Sequence, residues 1–114
     1  MNVFSEAWRE GVYEAIQRRR DVRAQFRPGE IPEPVLARLL RAAHQAPSVG
    51  FMQPWDFLIV RDLDTRRRVR EAFQKAHTAE AEALPTAKRE AYLALKLEGI
   101  LESALNLCVT CDRE

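Results

Sequence analysis

The chain has 114 residues, 46% of them hydrophobic and 31% charged, and its eighteen basic and seventeen acidic side chains leave a net charge of +1. That length allows one domain at most, with a modest core. The balanced charge excludes a general field for nucleic acid or an anionic membrane surface, no apolar run approaches the ~18 residues of a membrane span, and two cysteines are too few for a disulfide framework.

The first residues lack a basic region followed by an apolar core, so no secretory signal is expected and a cytoplasmic, reducing location is the default. Ser5 can cap a first helix, with Glu6 suited to its positive end. Trp8, Val12, Ala15 and Ile16 follow at helical spacing and form one apolar face. Gly11 weakens the helix interior by up to ~1 kcal/mol, so packing must hold this helix. Arg18, Arg19 and Arg20 are placed in its last turn, where cations are favourable. Residues 21–30 break the pattern, with Phe26 as an anchor and Pro28-Gly29 as a turn. A second helix is expected over 31–46. Pro32 and Pro34 fit its first turn, Val35, Leu36, Leu39, Leu40 and Ala43 form its buried stripe, and Pro47 stops it.

Residues 46–60 read APSVGFMQPWDFLIV. Two prolines, Gly50, Gln53 and Trp55 fall between the second helix and an apolar strand, Trp55–Val60. This composition suits a loop that carries chemistry and equally a loop that holds an aromatic against a core. Either Asp62 or Asp64 caps a third helix over 65–77, with Val69, Ala72, Phe73 and Ala76 on one face. Arg66, Arg67 and Arg68 are expected mostly on its solvated side. Residues 78–84 either prolong that helix or form a mobile connection before Pro85. A long helix is expected over 86–102, with Tyr92, Leu95, Leu97, Ile100 and Leu101 apolar, and a strand over 105–110. The fold class is therefore α+β, about four helices around two strands. An apolar strand at the very end of the chain implies a sheet larger than this chain supplies, completed by a partner subunit or by further polypeptide.

Few residue groups carry chemistry. Cys108 and Cys111 match C-x-x-C, but residues three apart on a strand face opposite sides, so they read as small core or sheet residues. His44 and His77 lie on different helices with no carboxylate at ligand spacing, so no metal site is expected. His44 precedes the loop and can line a pocket wall. Arg19, Arg20 and Arg23 place three guanidinium groups within five residues, around Asp21. Such a cluster can grip a phosphate through planar forks, with Asp21 ion-paired among them; it can equally be a solvated helix terminus.

Three stretches taken together, RRDVR at 19–23, AAHQAPSVGFMQPWDF at 42–57, and LKLEGI with NLCVTCDR at 95–100 and 106–113, resemble one family. That family is the 5,6-dimethylbenzimidazole synthase branch of the nitroreductase-like FMN flavoproteins. The resemblance implies a nitroreductase-like α+β fold with helices packed around a mixed or antiparallel sheet. It implies that residues 1–114 form the N-terminal part of a single such domain, with the C-terminal part absent. It further implies a homodimer with the flavin at the subunit interface. Arg19, Arg20, Asp21, Val22 and Arg23, with His44, Pro47, Ser48 and Gln53, would contact FMN. Two departures separate this chain from the wider nitroreductases: Asp21 replaces a serine and Phe51 replaces an asparagine of the loop. Both fit the synthase branch. There, reduced FMN is the substrate, molecular oxygen attacks it, and the ring system is fragmented to 5,6-dimethylbenzimidazole, the lower ligand of cobalamin. Asp21 is the candidate catalytic group for proton handling. The alternatives are an NAD(P)H-dependent FMN nitroreductase of the same fold and an inactive fragment that only dimerises.

Overall fold

In the computed structural model, which describes residues 3–113, the elements run α1 (Glu6–Arg18), α2 (Glu33–His44), a single 3₁₀ turn (Val49–Phe51), β1 (Trp55–Val60), α3 (Leu63–Ala83), α4 (Thr86–Leu93) and β2 (Asn106–Cys111). This is the α+β set read from the sequence. β1 and β2 pair antiparallel, Trp55 opposite Cys111 and Val60 opposite Asn106. The backbone N–H of Asp112 donates to Pro54 O at 2.7 Å, one step beyond the ladder.

Local chemistry sets the ends of the helices. Ser5 caps α1 by accepting from the Trp8 N–H. Asp62, not Asp64, caps α3: its carboxylate accepts from the Thr65 N–H at 2.7 Å and the Thr65 hydroxyl at 2.6 Å. Those two bonds, the hydroxyl's first, hold the Asp62 carboxyl below the usual carboxylate range. α3 absorbs most of 78–84, because alanine and glutamate are strong helix formers. Leu84 precedes Pro85 and turns extended, which ends the helix.

Burial is sparse. Among the described residues the buried apolar side chains are Leu36 and Ala81. Of the α2 stripe, Leu36 is buried, Val35 and Leu40 are half-buried, and Leu39 and Ala43 are exposed. α1 buries nothing: Trp8, Val12 and Ile16 remain at least 60% exposed. The radius of gyration is 18.6 Å, against about 13 Å for a compact domain of ~100 residues. The packing that α1 needs is therefore not supplied by the described chain.

Two expectations are corrected and a third is narrowed. Arg66 is not on the solvated side of α3; it is 6% exposed. Its Nε and Nη2 donate to Ile100 O at 3.0 and 2.7 Å, and Nη2 also reaches Leu101 O at 3.2 Å and Ser103 O. A buried cation without a carboxylate partner is tolerated here because carbonyl dipoles surround it. The neighbouring Arg67 does stay outside, paired with Asp64.

The helix expected over 86–102 stops at Leu93. Arg66 holds the carbonyls of Ile100, Leu101 and Ser103 in a non-helical turn. The Glu98 carboxylate accepts the Ile100 N–H at 2.7 Å, and Lys96 pairs with Glu102 at 2.5 Å. Side-chain bonds thus replace the helical ladder.

Cys108 and Cys111 do lie on β2, opposite Leu58 and Trp55. Both are exposed free thiols rather than core residues, because nothing in the described chain covers β2.

Candidate functional site

The arginine segment follows the last residue of α1. The helix ends at Arg18, which pairs with Glu14 at 2.7 Å, and Arg19 is its C-cap. Arg20, Asp21, Val22 and Arg23 therefore lie beyond the last turn where the sequence pattern placed Arg20. Asp21 stands between Arg19 and Arg23, at 3.8 and 3.5 Å. Arg20 folds back, donating to Gln17 O at 3.0 Å and Arg19 O at 2.7 Å. Every residue from Arg19 to Arg23 is exposed. Long, solvated ion pairs contribute little by themselves. Three guanidinium groups against one carboxylate leave two uncompensated positive charges, a setting that favours an incoming anion.

The second cluster is the loop between α2 and β1. His44, Pro47, Ser48, Phe51 and Gln53 line one groove of about 450 Å³. The loop is braced from within. The Gln53 backbone N–H donates to Ser48 Oγ at 2.9 Å, and the Gln53 side-chain amide donates to His44 O at 3.4 Å. Trp55 Nε1–H donates to His44 Nδ1 at 3.1 Å, with the two rings edge to face at 6.0 Å. An accepting Nδ1 requires the neutral imidazole with its proton on Nε2. Gly50, Phe51 and Gln53 have φ of 59°, 57° and 47°. For Phe51 and Gln53 the left-handed conformation costs ~1–2 kcal/mol each, and such strain collects at functional sites. Phe51 is 79% exposed at the rim.

The structure gathers His44, Pro47, Ser48 and Gln53 into one groove, and Arg19, Asp21 and Arg23 into one charged cluster. Among the described residues no hydrogen bond or ion pair joins the two. Trp55 was missed as a site residue. Its signal was its position, an indole donor at the end of the loop that His44 begins. Among the described residues no group of three or more His, Cys, Asp or Glu could hold a metal ion. No described helix is long and apolar enough to cross a membrane.

An arginine cluster after the first helix, a strained Pro-Ser loop leading into a strand and an antiparallel strand pair together define a nitroreductase-like α+β protein. The Nitroreductase family profile matches residues 16–113, and the chain belongs to that family. A 5,6-dimethylbenzimidazole synthase of Rhodospirillum rubrum is 42% identical over 110 residues, which are 96% of this chain and 52% of that protein. A 5,6-dimethylbenzimidazole synthase of Rhodobacter capsulatus is 38% identical over 97% of this chain and 53% of its own length. The chain thus spans about half the length of these curated relatives. An NADH dehydrogenase of Thermus thermophilus is 44% identical over 68 residues, covering 59% of this chain and 33% of that protein. Among solved structures, oxidized iodotyrosine deiodinase bound to FMN and 3-iodo-L-tyrosine superposes with a TM-score of 0.73. It is 25% identical, and the match covers 86% of this chain and 55% of that one.

Proposed function

We propose that this chain is the N-terminal part of a single FMN-binding, nitroreductase-like domain. We further propose that the domain takes reduced FMN as substrate and, with molecular oxygen, fragments it to 5,6-dimethylbenzimidazole, the cobalamin lower ligand. The observation that carries this reading is Asp21, a carboxylate held between Arg19 and Arg23 where an anionic ligand would be gripped. The 42% identity to a 5,6-dimethylbenzimidazole synthase across 96% of the chain supports it.

The residues present fit FMN. Arg19, Arg20 and Arg23 would hold its phosphate and ribityl oxygens through charge-assisted hydrogen bonds. Pro47, Ser48 and Gln53 would lie along the ring system, with His44 behind them in the groove. Val22 would lie among them, its side chain exposed on the same segment. Reduced flavin supplies the electrons and the carbon skeleton, and oxygen is the oxidant. Asp21 offers a carboxylate that accepts a proton within reach of the bound ligand, and the flanking guanidinium groups orient that carboxylate. Phe51, exposed at the rim, and the neighbouring exposed Met52 would close over the ring and exclude water.

The exposed α1 face, Trp8, Val12, Tyr13 and Ile16, is where a second subunit would pack in a homodimer, with the remainder of the domain covering the sheet. A second reading, an NAD(P)H-dependent FMN oxidoreductase, draws on the identity to an NADH dehydrogenase over 68 residues. Incubation with reduced FMN in air separates the two readings. The proposal expects loss of flavin and formation of 5,6-dimethylbenzimidazole, abolished by Asp21→Asn without loss of FMN binding. Intact FMN with turnover of a nitroarene by NAD(P)H would establish the second reading instead.

A further inference from the structure

Among the described residues the arginine segment has no hydrogen-bond or ion-pair partner outside its own neighbourhood, yet it is not a free tail. Across described residues 3–30, Phe26 is the one residue that is not exposed. Its ring rests on Gly99. A methyl group added at Gly99 would overlap Phe26 Cε2 and lie 2.9 Å from Cζ and 3.2 Å from Arg23 O. Both the aromatic ring and a carbonyl of the arginine segment therefore close onto a position that only glycine leaves open. Gln25, next to the ring, has φ of 65°, a left-handed conformation that persists where its surroundings over-determine it.

Gly99 is itself held firmly. Glu98 accepts the Ile100 N–H and pairs with Arg70 at 3.5 Å and Lys96 at 3.7 Å, while its own side chain is only 13% exposed. Arg66 collects the carbonyls of Ile100, Leu101 and Ser103. Asn106 Nδ2 adds a donor to Ile100 O at 3.1 Å, and Gly99 O accepts the Ser103 N–H at 3.0 Å. A half-buried turn held by several side-chain bonds thus forms a seat under an exposed, charged segment.

We propose that Gly99 and Arg66 are positioning residues: Arg66 freezes the 98–103 turn, Gly99 receives Phe26, and Phe26 fixes the backbone from which Arg19, Arg20 and Arg23 meet an anion. The ligand assignment rests on the FMN reading above; the seat does not. Loss of the seat frees the segment without removing a single charge.

The test uses Gly99→Ala, Phe26→Ala and the double variant Gly99→Ala/Phe26→Leu, which makes room for the methyl group. Limited trypsin digestion, with mass spectrometry of cleavage after Arg20 and Arg23, reports the segment without any ligand, since cleavage follows local opening. FMN titration reports its consequence. Both single variants are expected to speed cleavage and weaken FMN by roughly tenfold, about the effect of one ordering interaction. The double variant is expected to recover both towards wild type, which a general loss of stability would not do. Unchanged cleavage in Gly99→Ala and Phe26→Ala overturns the seat. Faster cleavage with unchanged FMN affinity overturns its positioning role. If the wild-type protein binds no FMN, the proposed function fails while the cleavage rates still decide the seat.

Discussion

The loop of the candidate site and its arginine segment are held in opposite ways. The loop from His44 to Trp55 braces itself: Ser48, Gln53, Trp55 and His44 bond to one another within twelve residues. Among the described residues the segment from Arg19 to Arg23 bonds only to itself and to the end of α1, and takes its place from a contact with Gly99, far along the chain. Self-braced geometry is local and survives changes elsewhere. Borrowed geometry fails when the distant support fails.

The largest expected effect tests that dependence. Arg66→Ala removes a buried cation's bonds to three half-buried carbonyls, of which, among the described residues, Ile100 O alone keeps a donor in Asn106, so it should destabilise the fold by about 2–4 kcal/mol, measured by urea denaturation. It should also release the arginine segment while leaving the loop bonds intact. A cost below 0.5 kcal/mol, the usual range for a surface change, would return Arg66 to the solvated role that its sequence neighbours suggested. Next in size, Arg19→Ala and Arg20→Ala should each weaken FMN by about 1.5–3 kcal/mol in a fluorescence titration, with thermal stability unchanged because both side chains are exposed. In the loop, Ser48→Ala should cost about 1 kcal/mol by loss of the acceptor for the Gln53 N–H, with no effect on trypsin cleavage after Arg20.

The smallest effect concerns acid. Asp62 has a lowered carboxyl pKa because Thr65 donates to its charged form. Its capping contribution is therefore present above the unfolded-state pKa and is lost as pH falls through the lower folded value. Asp62→Asn should flatten that acid-side slope in a pH series of melting temperatures; an unchanged slope would remove Asp62 from the account.

What was legible in the sequence follows the same division between local and distant support. α1, α2, β1 and β2 came from short-range patterns: the Ser5 cap, the α2 stripe, the prolines and the apolar runs. The loop was recognised from its own composition, and Phe26 was read as an anchor. The stretch 94–102 was misread as helix because Leu95, Leu97, Ile100 and Leu101 keep nearly helical spacing. What overrides that spacing is Arg66, thirty-four residues from Ile100, and an isolated arginine triplet gives no hint which member turns inward. Trp55 was seen as an aromatic anchor, but its bond to His44 closes the loop from its far end and was not foreseen. The outward faces of α1 and β2 look like core in the sequence and stand exposed, since nothing among the described residues covers them.

The proposed role of the arginine segment is to grip a phosphate. A parallel fluorescence titration with FMN and with riboflavin, which lacks the phosphate, addresses it directly. The expected result is FMN binding about 10- to 100-fold tighter than riboflavin, with the gap shrinking as salt is raised. Equal affinities for the two flavins, or no binding of either, would contradict the account.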